Sequence, residues 1–278
     1  MKSMRKKKLL GSVVLFLLIA LIAGIVYYPR IASTITQIFV PRNSAVSTAA
    51  FIQSHYGKYD PRYKGYPVMD DDEPPKLLYV MSECENKPIP IKGAEHLLLA
   101  MCSSPPNEEM GSHGERGMID FYVLRQESNG WVAAAQLLKL ESGSYGVAGN
   151  VKAIKLGKNF YGFLIEETWM GQGYEIGTRT IVAPKDEQLL EVAVFRSSLA
   201  NSGATGSDCK ETESLCEPST SLDFQLKIDD SNASAVVFPI YVDVSGVKSD
   251  TATKARYRLD FNRRSWHYNV PAELTESF

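Results

Sequence analysis

The sequence is poor in the residues and spacings that catalysis and metal binding require. His55, His96, His113 and His267 are its only histidines, and no two share a short ligand spacing. The four cysteines, Cys84, Cys102, Cys209 and Cys216, include no Cys-x-x-Cys, and no histidine sits at ligand spacing from any of them. Zinc-site signatures are therefore missing. A nucleophile elbow needs Gly-x-Ser-x-Gly between strand and helix. Gly143-Ser144-Tyr145-Gly146 lacks that spacing and precedes a strand pattern. The glycine-rich stretches 146–150 and 171–175 have no following Lys-Ser/Thr and lead into strands, so neither cradles a phosphate. Asp70-Asp71-Asp72-Glu73 lacks the alternate acidic positions, central glycine and distant glutamate of a calcium loop. Four adjacent carboxylates read as a solvated run. His113, in the polar stretch 111–117, is the one histidine in a loop where catalysis is conceivable, and any polar residue would serve there equally well. These absences leave no expected catalytic residue, metal ligand or cofactor.

Acidic side chains are absent from the first 30 residues, which carry Lys2, Arg5, Lys6, Lys7, Lys8 and Arg30. The rest of the chain holds 24 of the 30 basic side chains against all 32 acidic ones, a net of about −8. An acidic domain is a poor nucleic-acid binder, because phosphate contacts need clustered Lys and Arg. It suits a protein partner, and a basic one in particular.

Charge is also missing from Leu9 to Tyr28, a run of 20 residues. As a helix this run spans about 30 Å, the thickness of the hydrocarbon core. Three lysines at its start place residues 1–8 in the cytosol. A cleaved signal peptide would have a shorter apolar stretch and a small-x-small site. Here Leu21 lies two places before Ala23 and Arg30 two places before Ala32, and no cysteine precedes Cys84 for lipoprotein processing. The expected layout is a cytosolic tail (1–8), a signal-anchor helix in the lipid bilayer (9–28), a juxtamembrane connector (29–75) and an exported β-rich domain (76–278). That layout fits a single-pass protein of a bacterial inner membrane with its domain in the periplasm. A secretory-pathway membrane protein has the same signature.

Within the connector, Asn43 or Ser44 can cap a short helix that Gly57 ends. From Lys76 the apolar period is two. Leu222, Phe224, Leu226 and Ile228 alternate with Asp223, Gln225 and Lys227, and Tyr257, Leu259 and Phe261 alternate with charged residues. Val236, Phe238, Ile240 and Val242 read as a strand that Pro239 confines to an edge or bulge. The segments 76–81, 118–126, 131–138, 151–156, 159–166, 176–182 and 189–195 are more apolar and expected to be central. Residues 93–101 fit strand or helix. About ten short strands with close turn signals argue for an all-β fold, an antiparallel sandwich or barrel-like domain.

Four cysteines permit three pairings. The neighbour pairing, Cys84–Cys102 with Cys209–Cys216, closes two short loops and is the expected one. With catalysis unsupported, loops on a rigid sheet become the expected site. Residues 166–175 hold Glu166, Glu167, Trp169, Met170, Gln172 and Tyr174, an apolar anchor with an acidic rim. An alternative is that Trp169 plugs one end of the core. A bridge across 209–216 would pre-order Glu211 and Glu213 as a second contact. The expected function is a membrane-anchored periplasmic protein-binding domain, such as an inhibitor or immunity protein against an envelope-acting toxin or hydrolase. A structural or accessory subunit of an envelope complex is the alternative, and a hydrolase with scattered catalytic residues a third.

Overall fold

Alternation of apolar residues at period two produces many of the strands, and the most buried of them, over His96–Ser104, is apolar through most of its length. The computed structural model describes residues 48–276, except 71, 73, 75, 92–94, 107–110 and 205–217. The anchor over 9–28, the tail over 1–8, Cys209, Cys216, Glu211 and Glu213 lie outside the described residues. No helix among the described residues is long and apolar enough to cross a membrane. The described residues belong to one compact unit.

The order is α1 (Ala49–Tyr56), β1 (Tyr66–Met69), β2 (Leu77–Ile89), β3 (His96–Ser104), β4 (Gly117–Glu127), β5 (Gly130–Ser142) and β6 (Asn150–Lys155). Then come β7 (Tyr161–Gly171), β8 (Tyr174–Lys185), β9 (Gln188–Ala200), β10 (Ser221–Ile228), β11 (Ile240–Lys248) and β12 (Thr251–Leu259). A small hairpin of β13 (Phe261–Asn262) and β14 (His267–Tyr268) completes the β structure. β1 to β12 form one sheet of 12 strands, not the ten or so expected. Its pairings are antiparallel except where Gln136 of β5 meets Gln188 of β9 in parallel, which makes the sheet mixed.

β9 is the junction. It pairs along its length with β8, and its other edge meets β5 at one end and β10 at the other. One path runs β1-β2-β3-β4-β5-β9-β10-β11-β12, and a branch runs β9-β8-β7-β6. The branch curls back until the Ala153 N–H of β6 donates to the Glu85 carboxylate of β2 at 2.7 Å. Leu98, Phe121, Ala135, Val151, Phe163, Val182 and Leu189 meet inside this curl. The opposite side of the branch supplies Leu164, Ile181 and Phe195, which pack in sandwich fashion against Phe224, Ile240 and Val242 of β10 and β11. The segment 93–101, which fits strand or helix by sequence, falls mostly within β3, whose seven inner residues are all buried. Such a strand cannot show alternation, because both its faces are covered.

The connector helix exists as α1, and it covers the outside of β2–β4. Phe51 and Ile52 pack with Met81, Leu97, Leu99 and Tyr122. A polar clasp fixes it. Tyr56 donates to Asp120 at 2.5 Å and shares a 2.8 Å hydrogen bond with Tyr122, while the Lys139 N–H donates to Asp120 at 2.6 Å. Burial, with these hydrogen bonds, raises the Tyr56 pKa well above the usual tyrosine value. The expected strand through Val236 and Phe238 is a correction. β11 begins at Ile240, because Pro239 has no N–H for the ladder and the Phe238 N–H goes to Leu156.

Cys84 and Cys102 form the expected disulfide, with Cα atoms 5.7 Å apart. Cys84 is the extra residue of a bulge between Glu83 and Glu85. The bulge and bridge therefore sit beside the Glu85 that reaches β6.

Two stability effects follow from these contacts. Phe163 is fully buried with its ring 4.6 Å from that of Phe121. Phe163→Ala should cost about 3–5 kcal/mol in denaturant unfolding, through lost contact and a residual cavity. Reducing the bridge, which spans 18 residues of sequence, should cost at most about 3 kcal/mol in the chain-entropy model, read as a lower denaturation midpoint.

Candidate functional site

The segment expected as a loop over 166–175 is a β-hairpin. β7 and β8 pair as far as Gly171 and Tyr174, leaving a two-residue turn of Gln172 and Gly173. Both turn residues have positive φ, 53° and 85°, the geometry that matches the twist of flanking strands. Gly173 also presses against Gly203, where a Cβ would lie 2.2 Å from backbone, and the Gly203 N–H donates to the Gly173 carbonyl at 3.0 Å. The hairpin tip is thereby held against the turn at 201–204.

The inner halves of β7 and β8 are buried between the two cores, and their outer halves run past them. Trp169 is 44% exposed and Met170 59% exposed, so Trp169 is not a plug of the core. The two side chains stand on opposite faces of the ribbon, as strand neighbours must. The Trp169 ring lies over Gly171, where an added Cβ would come within 2.5 Å of it.

The two glutamates expected as an acidic rim are taken up internally. Arg116 holds both oxygens of Glu167 at 2.8 Å, and one of these oxygens also accepts from the Ser142 hydroxyl and the Gly143 N–H at 2.6 Å each. Glu167 thus ties loop 111–116 and the end of β5 to β7. Glu166 accepts from Arg179 at 2.8 Å and Lys152 at 3.1 Å. Burial opposes ionisation of Glu166, yet the bonds from Arg179 and Lys152 prevail and hold its carboxyl below the usual range. The outer hairpin therefore offers apolar surface beside two neutralised carboxylates, while Glu175, opposite Met170, accepts from the Ser198 hydroxyl at 3.4 Å.

A groove of about 290 Å³ opens beneath Trp169. Its floor is a cross-strand row of Glu167, Thr178 and Arg196, with Trp169 paired to Ile176 in the next row. His113, Gly114, Arg116 and Gly143 form its wall. His113 is bonded to the Tyr145 hydroxyl at 2.6 Å, and the Ser142 hydroxyl beside the groove donates to Glu167 at 2.6 Å. A second cavity, of about 500 Å³, lies between segments 229–239 and 258–263, and its Arg258 is paired with Asp260 at 2.9 Å.

The structure brings Glu166, Glu167, Trp169, Met170, Gln172 and Tyr174 together on one ribbon, with Gln172 exposed in the turn. Sequence reasoning missed Arg116, Thr178, Ile176 and Arg196. The one available signal was the Gly-Gln-Gly-Tyr turn, which pairs β7 with β8 and so places Thr178 opposite Glu167. No family model matches the chain, and no curated protein or solved structure matches it either.

The pairing of Glu166 predicts an acid-sensitive contribution. A carboxyl with a lowered folded-state pKa stabilises above its ordinary value of 4.5 and loses that contribution as pH falls through the lowered one. Glu166→Gln should therefore be less stable than the parent at pH 7, with the difference shrinking below about pH 4 in denaturant melts at both pH values.

Proposed function

We propose that this chain is a membrane-anchored, periplasmic protein-binding domain that docks its partner on the outer half of the β7–β8 hairpin. An inhibitor or immunity protein against an envelope-acting toxin or hydrolase is the concrete form of this reading. The observation that carries it is the pair Trp169 and Met170, adjacent in the chain and both largely exposed on a ribbon braced by Gly173 and Glu167. Exposed aromatic and methionine side chains on a rigid element are the anchors that dominate interface energetics. Rigidity lowers the entropy cost of docking. Tethering by the apolar run 9–28 would raise the local concentration of the domain at the membrane. The case for a basic partner rests on the domain's net acidity and on Glu175 of the hairpin, since Glu166 and Glu167 are paired.

The test is Trp169→Ala on the full-length protein, used to capture partners from envelope extract and then to measure affinity. Binding should weaken by more than about 1 kcal/mol while the melting temperature stays nearly unchanged. A stability loss of core size, or undiminished binding, would remove the hairpin from consideration.

A further inference from the structure

The groove beneath Trp169 contains an arginine whose charge the described residues do not balance. The Arg196 Nε donates to the carbonyl of Glu276 at 3.1 Å, one terminal nitrogen to the Thr178 hydroxyl at 3.2 Å, and the other to the carbonyl of Thr275 at 3.3 Å. All three acceptors are neutral. A guanidinium has five N–H donors, so one N–H remains on each terminal nitrogen. Glu167, the one carboxylate lining the groove, is paired with Arg116, and one of its oxygens also accepts from Ser142 and Gly143. Burial lowers the Arg196 pKa from its ordinary value, with no opposing attraction from a carboxylate. A half-buried cation whose acceptors among the described residues are all neutral is stabilised by any anion that enters.

We infer that the groove is a receptor for one acidic side chain of the protein partner, whose carboxylate pairs with Arg196 while a neighbouring apolar residue packs on Trp169 and Ile176. This rests on the hairpin reading above and adds a second, chemically distinct contact to it. A spare N–H on each terminal nitrogen leaves the guanidinium able to donate to a carboxylate, the donor capacity that favours arginine over lysine in such sites. An acidic contact here is compatible with a partner that is basic overall, because the groove selects one residue and the domain's net charge acts at longer range.

The test uses the full-length chain in detergent micelles and follows Trp169 emission, with Trp169→Phe as the baseline. Three acetylated tripeptides are titrated: acetyl-Leu-Glu-Leu-amide, its Gln counterpart, and acetyl-Leu-Gln-Leu with a free carboxyl terminus. The Glu peptide should give a saturable change and bind at least about tenfold more tightly than the Gln peptide, the size of one charge-assisted hydrogen-bonded pair. Arg196→Gln should abolish that preference, and Arg196→Lys should restore part of it. Added salt should weaken the Glu peptide selectively. Equal binding of the Glu and Gln peptides by the parent protein overturns the inference without any variant, so it stays testable if Arg196→Gln fails to fold. So does the absence of a saturable change with any peptide. Equal or tighter binding of the free-terminus peptide would overturn the side-chain assignment in favour of a chain end. Partner capture lost with Trp169→Ala bears on the hairpin alone, and the Glu-over-Gln preference bears on Arg196 alone.

Discussion

The fold depends on burying both faces of β7, β8 and β9 at once. Phe163, Ile165 and Val182 face the enclosed core, while Leu164, Ile181 and Phe195 face the layer made with β10 and β11. A strand covered on both sides has no polar face, so its sequence becomes a continuous apolar run. β3 has the same constraint, between the enclosed core and α1. Three sheet layers and a helix follow from it, since each covered face needs its own partner layer. The junction at β9 is the geometric solution, because one strand serves both the curled branch and the outer layer.

The candidate site begins where the two cores end. Along β7, buried Phe163, Leu164 and Ile165 give way to Glu166 and Glu167, and then to exposed Thr168, Trp169 and Met170. Carboxylates at such a margin are only partly solvated, and here each is matched by arginine or lysine from a neighbouring strand or loop. These pairs fix the geometry of the hairpin more than they stabilise it, since exposed ion pairs are worth little. Their fixing role also explains why Glu166 and Glu167 add no acidic rim to the apolar surface of the hairpin.

The electrostatics thus separate by scale. The chain outside its first 30 residues is acidic overall, yet at the hairpin base Arg196 has only neutral acceptors among the described residues. Long-range charge governs encounter, whereas local hydrogen-bonding capacity governs which residue fits. A partner can satisfy both demands, being basic in sum and acidic at one contact.

Much of the fold was legible from the sequence because it is written in local patterns. Period-two alternation marks Leu222–Ile228, the Ser128-Asn129-Gly130 turn joins β4 to β5, and Cys84 and Cys102 are near enough in sequence to find each other. Trp169 and Met170 were also legible as anchors from residue type alone. Tertiary structure decided whether Trp169 was core or surface, and whether Glu166 and Glu167 faced a partner or their own chain. Arg116 lies 51 residues from Glu167 in sequence, and Arg179 lies 13 from Glu166. Such pairings depend on strand order and register, and a single bulge shifts which residues meet across a ladder. The row of Glu167, Thr178 and Arg196 exists because β9 bulges opposite Gly177 and Thr178. Local sequence therefore determined the strands and their exposed anchors, while the non-local register of β7, β8 and β9 decided which charges were spent and which one was left over.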